Sequence, residues 1–358
     1  MMPARRKTRA ISIGNVAVGD GAPISIQSMT TARSADIENC AAQIRSLAAA
    51  GCDIVRVAVL DEADAAALGK LKTAGGMPLV ADIHFDYRLA LEAIRQGVDA
   101  LRINPGNIGE RARVEAVVNA AKNAGIPIRI GVNGGSLEKH ILEKHGRPTA
   151  AGMVESALEH VRILEDLDFL DIKVSLKSSD PLMTMEANRI FADECDIPLH
   201  LGVTEAGPLL TGAVRNSAVL AVLLSEGIGD TLRISLSADP VFEVRAARVL
   251  LTSLGLRSGG LRVVSCPTCG RCQTTELFAI ASHIEEKLAD IRADMTVAVM
   301  GCAVNGPGEA READVAAVCS DRYGYIYVEG RKTRSVPMAE LSDALLEEVE
   351  KLTSSDAG

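Results

Sequence analysis

The run Ile54-Val-Arg-Val-Ala-Val59 is a short β-type segment that carries one arginine among apolar residues. Similar runs recur along the first two thirds of the chain, and most precede an Ala- and Leu-rich stretch with helical spacing. Strands that alternate with helices indicate βα units and a parallel sheet. Eight such units in about 240 residues match a (β/α)8 TIM barrel in count and length. The predicted strands are residues 24–29, 54–59, 79–83, 100–104, 128–132, 170–176, 199–204 and 231–236.

The alternative α/β architecture is a doubly wound sheet. That fold favours a Gly-rich phosphate turn after its first strand, and Ser28-Met-Thr-Thr31 is not such a turn. A helix at 241–254 and the linker 255–260 then lead into a smaller α+β module. Its predicted strands are 261–265, 297–300, 315–319 and 325–328, with helices at 276–292 and 339–352. We therefore expect a barrel domain at 1–255 and a second domain at 261–358.

Composition narrows the class of protein. The 358 residues are 47% hydrophobic but only 3% aromatic, with no Trp, so Ala, Val, Leu and Ile must build the core. A net charge of −9 argues against a general nucleic-acid surface and leaves room for a local cationic pocket. The basic N-terminus has no apolar segment behind it, and no apolar run is long enough to span a membrane. Eight Cys in this setting indicate reduced thiols, so we expect a cytoplasmic protein.

Five predicted strands carry a cation in an otherwise apolar run. Unpaired buried cations are very costly, so each needs a partner. Structural ion pairs are one explanation, with Asp53, Asp82, Asp171 and Glu205 as the available acids. Five cations together are better explained by a polyanionic ligand at the barrel mouth. The cations are Arg56, Arg102, Arg129, Lys173 and Arg233.

Polar residues gather where the predicted strands end, which is where TIM barrels place their active sites. Some of these residues, such as Ser28, Asn133 and Ser178, are also candidates for capping the following helix. The polar set is Gln27, Ser28, Thr30, Asp82, His84, Asn104, Asn133, Ser175, Lys177 and Glu205.

Two segments near the C-terminal end have metal-ligating character: Ser265-Cys-Pro-Thr-Cys-Gly-Arg-Cys272 and Met300-Gly-Cys-Ala-Val-Asn-Gly-Pro-Gly-Glu309. Cys266 and Cys269 have C-x-x-C spacing, and the second segment offers Cys302 and Glu309 beyond a predicted tight turn at 305–308. On spacing alone, an iron–sulfur centre, a zinc site and a redox dithiol all remain open. The other cysteines, Cys40, Cys52, Cys195 and Cys319, fit core positions.

Both segments closely resemble the bacterial 4-hydroxy-3-methylbut-2-enyl diphosphate synthase family of the methylerythritol phosphate route to isoprenoids. The barrel segments Val-Gln-Ser-Met-Thr, Ala-Asp-Ile-His-Phe, Arg-Ile-Asn-Pro-Gly-Asn and Gly-Val-Thr-Glu-Ala-Gly resemble it too, so the likeness covers nearly the whole chain. The resemblance implies a TIM barrel followed by an iron–sulfur domain like that of sulfite and nitrite reductases. It also implies reduction of 2-C-methyl-D-erythritol 2,4-cyclodiphosphate to 4-hydroxy-3-methylbut-2-enyl diphosphate. Two positions depart from the family pattern: Cys272, and Arg215 where a Lys is expected.

Site roles follow from the resemblance. It implies a [4Fe–4S] cluster held by Cys266, Cys269, Cys302 and Glu309, while Glu205 is our candidate proton donor. Asp82, His84 and Asn133 would orient the substrate hydroxyl groups, completing the catalytic set with Glu205 and Glu309. The substrate-binding set is Arg56, Arg102, Asn104, Arg129, Lys173, Ser175, Arg215, Arg233 and Ser235.

Partners are the last expectation. The chain shows no nucleotide-binding fingerprint, so a flavodoxin or ferredoxin is the expected electron donor, and residues 331–334 are a basic run that either docks it or forms a solvated loop. The short linker favours a homodimer in which each cluster domain caps the partner's barrel. A different class of function stays open: a pterin-binding-like lyase or transferase barrel with a zinc-stabilised interaction module.

Overall fold

The computed structural model describes residues 4–289, 291, 293–302 and 306–355. The chain divides into two compact units, Met1–Leu256 and Arg257–Gly358. Each unit has its own hydrophobic core. Among the described residues, no helix is both long and apolar enough to cross a bilayer.

The first unit opens with a two-stranded antiparallel hairpin and continues as alternating strands and helices. The strands are β1 Ile11–Ile13, β2 Val16–Val18, β3 Ser25–Met29, β4 Ile54–Val59, β5 Leu79–Ile83, β6 Ala100–Ile103, β7 Ile128–Asn133, β8 Ile172–Lys177, β9 His200–Leu201 and β10 Thr231–Leu232. The helices are α1 Ile37–Ala50, α2 Glu62–Gly75, α3 Tyr87–Arg95, α4 Pro105–Ile108, α5 Arg111–Ala124, α6 Lys139–His145, α7 Ala150–Glu165, α8 Pro181–Glu194, α9 Leu209–Ser225 and α10 Pro240–Ser253.

Strands β3 to β10 form one parallel sheet in the order β8-β7-β6-β5-β4-β3-β10-β9. A parallel bridge between Val174 and Leu199 joins the two ends of that order. The result is the predicted eight-stranded TIM barrel, confirmed strand by strand. The seventh and eighth strands are shorter than predicted, and the seventh ends directly before Gly202, whose φ is 154°.

The barrel strands alternate strictly between two faces. Outward residues such as Val55, Leu101 and Ile130 are fully buried in the core between sheet and helices. Inward residues are polar or charged in the upper layers, where Arg102 is the register partner of Arg129, and Arg129 of Lys173. A two-residue period therefore puts the cations inside the barrel while the apolar positions hold the helices.

The hairpin of β1 and β2 closes the lower end of the barrel. The side chains of Ile11, Ile13 and Val18 form a small apolar cluster with the first inward-facing residues of three strands. Those barrel residues are Ile54, Val80 and Ala100. The sequence analysis did not predict this hairpin, because three-residue strands lack a readable period.

The second unit is a five-stranded mixed sheet in the order β11-β12-β13-β14-β15. Its elements are β11 Arg262–Ser265, α11 Leu277–Leu288, β12 Thr296–Met300, α12 Gly306–Glu309, β13 Val315–Cys319, β14 Tyr323–Val328, β15 Arg331–Pro337 and α13 Leu341–Ser355. Strands β11, β12 and β13 are parallel neighbours, so their carboxyl ends meet at one edge. The α+β prediction is confirmed.

Three local predictions in this unit need correction or lie outside the described residues. The basic run 331–334 is not a loop: it lies in the edge strand β15, where Arg334 pairs with Glu347 and Glu348 of α13. Residues 306–308 are not a tight turn but the start of α12. Asn305 and the predicted helix end at Arg292 lie outside the described residues.

Candidate functional site

A cavity of about 210 Å³ opens at the carboxyl ends of the barrel strands. Nine of the predicted site residues line it, contributed by six of the eight strands or by the residues directly after them. The lining residues are Arg56, Asp82, His84, Arg102, Arg129, Asn133, Ser175, Lys177, Thr204, Arg233 and Ser235. Five of these are cations and one is a carboxylate, so the cavity has a clear surplus of positive charge.

Asp82 is the carboxylate at the centre of this group. Its Oδ1 lies 3.0 Å from Arg102 Nη1, and its Oδ2 lies 3.6 Å from Arg56 Nε. His84 completes the cluster, with Nε2 3.1 Å from Arg102 Nη1. Burial alone would raise the pKa of Asp82, but the Arg56 charge and its other cationic neighbours hold it below its usual range. Asp82 therefore stays ionised and fixes two guanidinium groups in place.

Arg233 has a separate acid behind it. Its Nε and Nη2 each lie 2.9 Å from an oxygen of Glu243, which is buried on α10. Glu243 also accepts a 2.7 Å hydrogen bond from Ser28 Oγ. Asp53, which the sequence offered as a possible ion-pair partner, accepts a hydrogen bond from the Ile26 backbone N–H. The sequence analysis also weighed Ser28 as a helix cap, whereas the hydroxyl serves Glu243.

Arg129 is a buried cation with no carboxylate within salt-bridge distance among the described residues. Within the described part of the chain, Arg129 donates one hydrogen bond, from Nη1 to Ser175 Oγ at 3.4 Å, and its Nε and Nη2 are buried without a partner. Burial, with the Arg56 charge next, lowers the pKa of Arg129. Guanidinium groups remain charged in proteins, so these unpaired donors point to an anionic ligand.

Two glycines make room for the cations. A Cβ atom on Gly131 would lie 2.6 Å from Arg102 Nε and 2.8 Å from its Nη2. A Cβ atom on Gly202 would lie 2.7 Å from Lys177 Nζ and 2.4 Å from the Arg233 carbonyl oxygen. Both glycines are therefore part of the cavity's construction, since any side chain would displace a charged group.

Lys177 and Thr204 line the cavity but were not in the predicted substrate-binding set. Lys177 is buried, and burial followed by the Arg129 charge lowers its pKa well below the usual range. A signal for it was present in the sequence, because Lys177 has the same two-residue parity as Lys173 and Ser175 on one strand. Thr204 has no comparable signal, as it follows a strand of only two paired residues.

Lys173 lies deeper in the barrel than the mouth cavity. With Gln27 and Arg129 it lines a second cavity of about 10 Å³, next to Ile13 of the hairpin. Among the described residues, Lys173 Nζ and both side-chain amide atoms of Gln27 are buried without a partner. Lys173 thus faces the deeper cavity and not the mouth, while Arg129 lines both cavities.

Three further predicted residues do not line the mouth cavity. Asn104 accepts a 3.0 Å hydrogen bond from the Gly106 backbone N–H and caps α4. Arg215 is exposed on α9 and donates to the Ala206 carbonyl at 3.2 Å. Glu205 is exposed and has a φ of 53°, which a non-glycine residue rarely adopts.

The cysteine segments lie at the carboxyl edge of the second unit's sheet. Cys266 directly follows β11, and Cys302 follows β12 by two residues. The Gly301 backbone N–H donates to Cys266 Sγ at 3.3 Å, and the Gln273 N–H donates to the Gly301 carbonyl at 2.8 Å. Cys319 is fully buried nearby, and burial, reinforced by Cys272 and Cys266, raises its pKa to about 12. Cys319 is therefore a core residue, as predicted.

The four expected ligands differ in exposure. Cys269 and Glu309 are exposed, Cys266 is half-buried and Cys302 is buried. Across the described stretches, no three His, Cys, Asp or Glu side chains stand close enough to hold a metal ion. The donor chemistry nevertheless fits an iron–sulfur cluster, because thiols gather at one sheet edge and a backbone N–H already faces Cys266 Sγ.

Comparison with solved structures supports the barrel as a fold and nothing further. The 3-dehydroquinate dehydratase of Geobacillus kaustophilus HTA426 has a TM-score of 0.51 and 16% identity, and the alignment covers 70% of this chain and 98% of that one. Dihydropteroate synthase of Yersinia pestis has a TM-score of 0.50 at 9% identity, over 69% and 98% of the two chains. At such identities, likeness to a pterin-binding barrel carries no functional argument.

Sequence relatives are far closer and span both units. A protein of Bacillus mycoides (strain KBAB4) named 4-hydroxy-3-methylbut-2-en-1-yl diphosphate synthase (flavodoxin) is 54% identical over 99% of this chain and 96% of its own. A protein of the same name from Geobacter sulfurreducens (strain ATCC 51573 / DSM 12127 / PCA) is 54% identical over 97% of this chain and 98% of its own. The family model for the GcpE TIM-barrel domain matches residues 8–248, and that for the GcpE protein C-terminal domain matches 262–351. With both domains matched in order, and with a cationic barrel mouth and a cysteine-bearing second unit, the chain belongs to the GcpE family.

Proposed function

We propose that this chain catalyses the reductive ring opening and dehydroxylation of 2-C-methyl-D-erythritol 2,4-cyclodiphosphate to 4-hydroxy-3-methylbut-2-enyl diphosphate. The observation that carries the proposal is the surplus of cations in the barrel mouth, in a chain 54% identical to proteins named for that product. The reaction takes up two electrons and two protons and releases one water molecule. It is therefore an oxidoreductase step of isoprenoid biosynthesis, and a cytoplasmic location remains our expectation.

The cations of the mouth cavity would bind the diphosphate. Arg56 and Arg102 are held in position by Asp82, and Arg233 by Glu243, so these three guanidinium groups are preorganised before substrate arrives. Arg129 and Lys177 have no such acid in the described part of the chain and would take the phosphate oxygens as their partners. Because the diphosphate is also the leaving group of ring opening, the same cations stabilise the charge that develops there.

The polar residues of the rim would orient the rest of the substrate. His84, Asn133 and Ser235 line the cavity beside the cations and would contact the substrate hydroxyl groups, with Asp82 holding His84 and the arginines in register. Glu205 is our candidate proton donor for the loss of water, since it follows the cavity-lining Thr204 directly. Asn104, Lys173, Ser175 and Arg215 complete the proposed binding set, with Lys173 acting from the deeper layer.

The second unit would hold a [4Fe–4S] cluster through Cys266, Cys269, Cys302 and Glu309. When bound, such a cluster supplies electrons to the substrate one at a time. The names of the relatives favour a flavodoxin as the electron donor, with a ferredoxin as the alternative. The basic edge strand β15 is a candidate docking surface for an acidic donor, because Arg331 and Lys332 are exposed there.

Metal content and product formation test this proposal together. Anaerobically prepared protein should contain iron and acid-labile sulfide and, with reduced flavodoxin, convert the cyclic diphosphate to the linear product observed by ³¹P NMR. The matched control is Cys302→Ser, which should lose both properties. Stoichiometric zinc without acid-labile sulfide would contradict the proposal and favour the interaction module with a pterin-binding-like barrel.

We further propose a homodimer in which each cluster domain caps the partner's barrel. Large apolar side chains are exposed in the loops and early helical turns that follow four of the barrel strands, on the side of the cavity. These residues are Leu60, Phe85, Leu182, Leu209, Leu210 and Val214. Phe85 is 72% exposed and Leu210 is 78% exposed, and a patch of this kind indicates an interaction surface. Helix α10 runs away from the mouth, so the chain leaves the barrel at its lower end, which supports capping by a second copy.

Co-expression of two inactive chains tests this arrangement. Glu205→Gln removes the barrel's proton donor and Cys302→Ser removes the cluster, so a mixed trans dimer retains one intact site. At equal mixing, roughly a quarter of wild-type sites should return. Demonstrated mixed dimers without recovered turnover would exclude capping by the partner.

A further inference from the structure

Cys272 is the sulfur atom that the proposed ligand set leaves unused. Its backbone N–H donates to the Cys269 carbonyl at 2.9 Å, and its thiol donates to the Thr274 carbonyl at 3.2 Å. The next residue, Gln273, is hydrogen-bonded to Gly301 at the end of β12. The loop is thus fastened to the sheet edge, and Cys272 has a defined position although it lies outside any regular element.

Gly301 brings Cys272 close to Cys266. A Cβ atom at Gly301 would lie 2.6 Å from Cys272 Sγ and 3.4 Å from Cys266 Sγ. The two sulfur atoms therefore lie no farther apart than the sum of these distances, about 6 Å, and a bond between them requires that gap to close to roughly 2 Å. Both side chains are half-buried, which leaves them accessible to a small oxidant.

We propose that Cys266 and Cys272 form a reversible disulfide bond when the chain carries no cluster. Hydrogen peroxide would remove two electrons and two protons from the two thiols, forming one S–S bond and two molecules of water. A thiol reductant would restore both thiols by exchange. The bridge would keep Cys266 from the irreversible sulfinic and sulfonic states, so that this ligand can bind a new cluster after reduction.

The geometry selects Cys266 over Cys269 as the partner. Cys269 is exposed, and it follows Thr268, whose φ of 61° turns the chain between the two cysteines. Cys266 and Cys272, by contrast, both face the open side of Gly301. Cys272 lies outside the proposed ligand set and Cys266 lies within it, but the bond is inferred from their positions beside Gly301 and so stands even if the proposed reaction is wrong.

Peptide mapping reads out the bond without any assay of turnover. Cluster-free full-length protein is exposed to one equivalent of hydrogen peroxide, alkylated and digested with trypsin. Cleavage after Arg271 separates the peptide with Cys266 and Cys269, residues 263–271, from the peptide with Cys272, residues 272–287. We expect these two peptides to be linked by a bond that dithiothreitol removes, and to be unlinked in cluster-loaded protein.

Three variants identify the partner. The link should persist in Cys269→Ser and disappear in Cys266→Ser and in Cys272→Ser. A Cys266–Cys269 bond within the first peptide, or a link that persists in Cys266→Ser and disappears in Cys269→Ser, would overturn the proposal. Because all variants are compared in the same folded, cluster-free state, circular dichroism provides the control for folding.

Peroxide treatment should also make wild-type protein and Cys272→Ser differ in how much iron they regain. After treatment, reduction and reconstitution, wild-type protein should regain its iron, whereas Cys272→Ser should regain less because Cys266 has been oxidised beyond rescue. Equal recovery of iron by both proteins would show that the bond does not protect the ligand.

Discussion

In the barrel, the charged groups stand on strands whose opposite faces are packed into the core, whereas in the second unit the thiols stand in loops beyond the strand ends. Arg56, Arg102 and Asp82 are consequently fixed by strand register and by one another. Of the four proposed ligands, Cys269 and Glu309 are exposed. The charged groups of the barrel are thus positioned by the fold alone, whereas a metal site built on loops gains its final geometry when the metal binds.

The largest expected effect tests the second half of this comparison. Loss of essentially all cluster iron and turnover is expected for each of Cys266→Ser, Cys269→Ser and Cys302→Ser. Each removes one thiolate ligand from a site whose geometry depends on binding of the metal. Glu309→Gln should keep part of the iron and lose most activity. Iron, acid-labile sulfide and the visible spectrum measure the outcome. Cys272→Ser is the matched control, and loss of its cluster would show that the ligand assignment is wrong.

The next effect distinguishes paired from unpaired cations in the barrel. Arg233→Met leaves the buried carboxylate of Glu243 without its partner and should lower the free energy of unfolding by roughly 3–5 kcal/mol. Arg129→Met removes a cation that has no carboxylate partner among the described residues, so stability should change little or rise. Thermal unfolding of the ligand-free proteins compares them. Equal destabilisation would mean that Arg129 also has a structural ion-pair role.

A smaller effect concerns the space reserved for Arg102. Gly131→Ala places a methyl group against that guanidinium and should weaken pyrophosphate binding by about 1–3 kcal/mol, the scale of charge-assisted hydrogen bonds. Gly135→Ala, with nothing within 4 Å of the added carbon, is the matched control. Isothermal titration calorimetry measures both. If the two variants bind alike, Arg102 is not held where the ligand needs it.

The smallest expected effect is a proton taken up by Lys177. Burial and neighbouring cations lower the pKa of Lys177 in the ligand-free protein. A bound diphosphate raises that pKa, so binding takes up protons, and affinity falls as pH rises through the ligand-free pKa. Titrations in buffers of different ionisation enthalpy give the uptake. Because the ligand's own protons cancel between proteins, Lys177→Met should bind fewer protons than wild type; identical uptake would rule Lys177 out.

Much of the barrel could be predicted because its signal is periodic. The alternation in Ile54–Val59 and Ile128–Asn133 indicates both the strands and the inward direction of Arg56 and Arg129. The position of a residue along the barrel axis was harder to predict. The depth of Lys173, for example, depends on the stagger between neighbouring strands. The pairing of Arg233 with Glu243 was missed because the sequence does not show that the side chain of an acid on a helix contacts a cation that follows a strand.

In the second unit, the proposed ligands rest on the wording of two motifs and not on a periodic pattern. The edge strand Arg331–Pro337 was missed because its first four residues are charged or polar. Such residues are common in edge strands, where they prevent pairing with other chains. No separate role was predicted for Gly301, which is part of the second cysteine motif. Its role as the contact point for two thiols depends on the register between β11 and β12, which a single sequence does not reveal.

The hairpin Ile11–Val18 has a consequence for substrate entry and product release. With the lower end of the barrel sealed by Ile11, Ile13 and Val18, the mouth serves as both entrance and exit. The proposed substrate and product each carry a diphosphate that would bind the same cations, so a substrate molecule could bind only after the product has left. We therefore expect the product to inhibit competitively with respect to substrate, so that turnover falls at high product concentration.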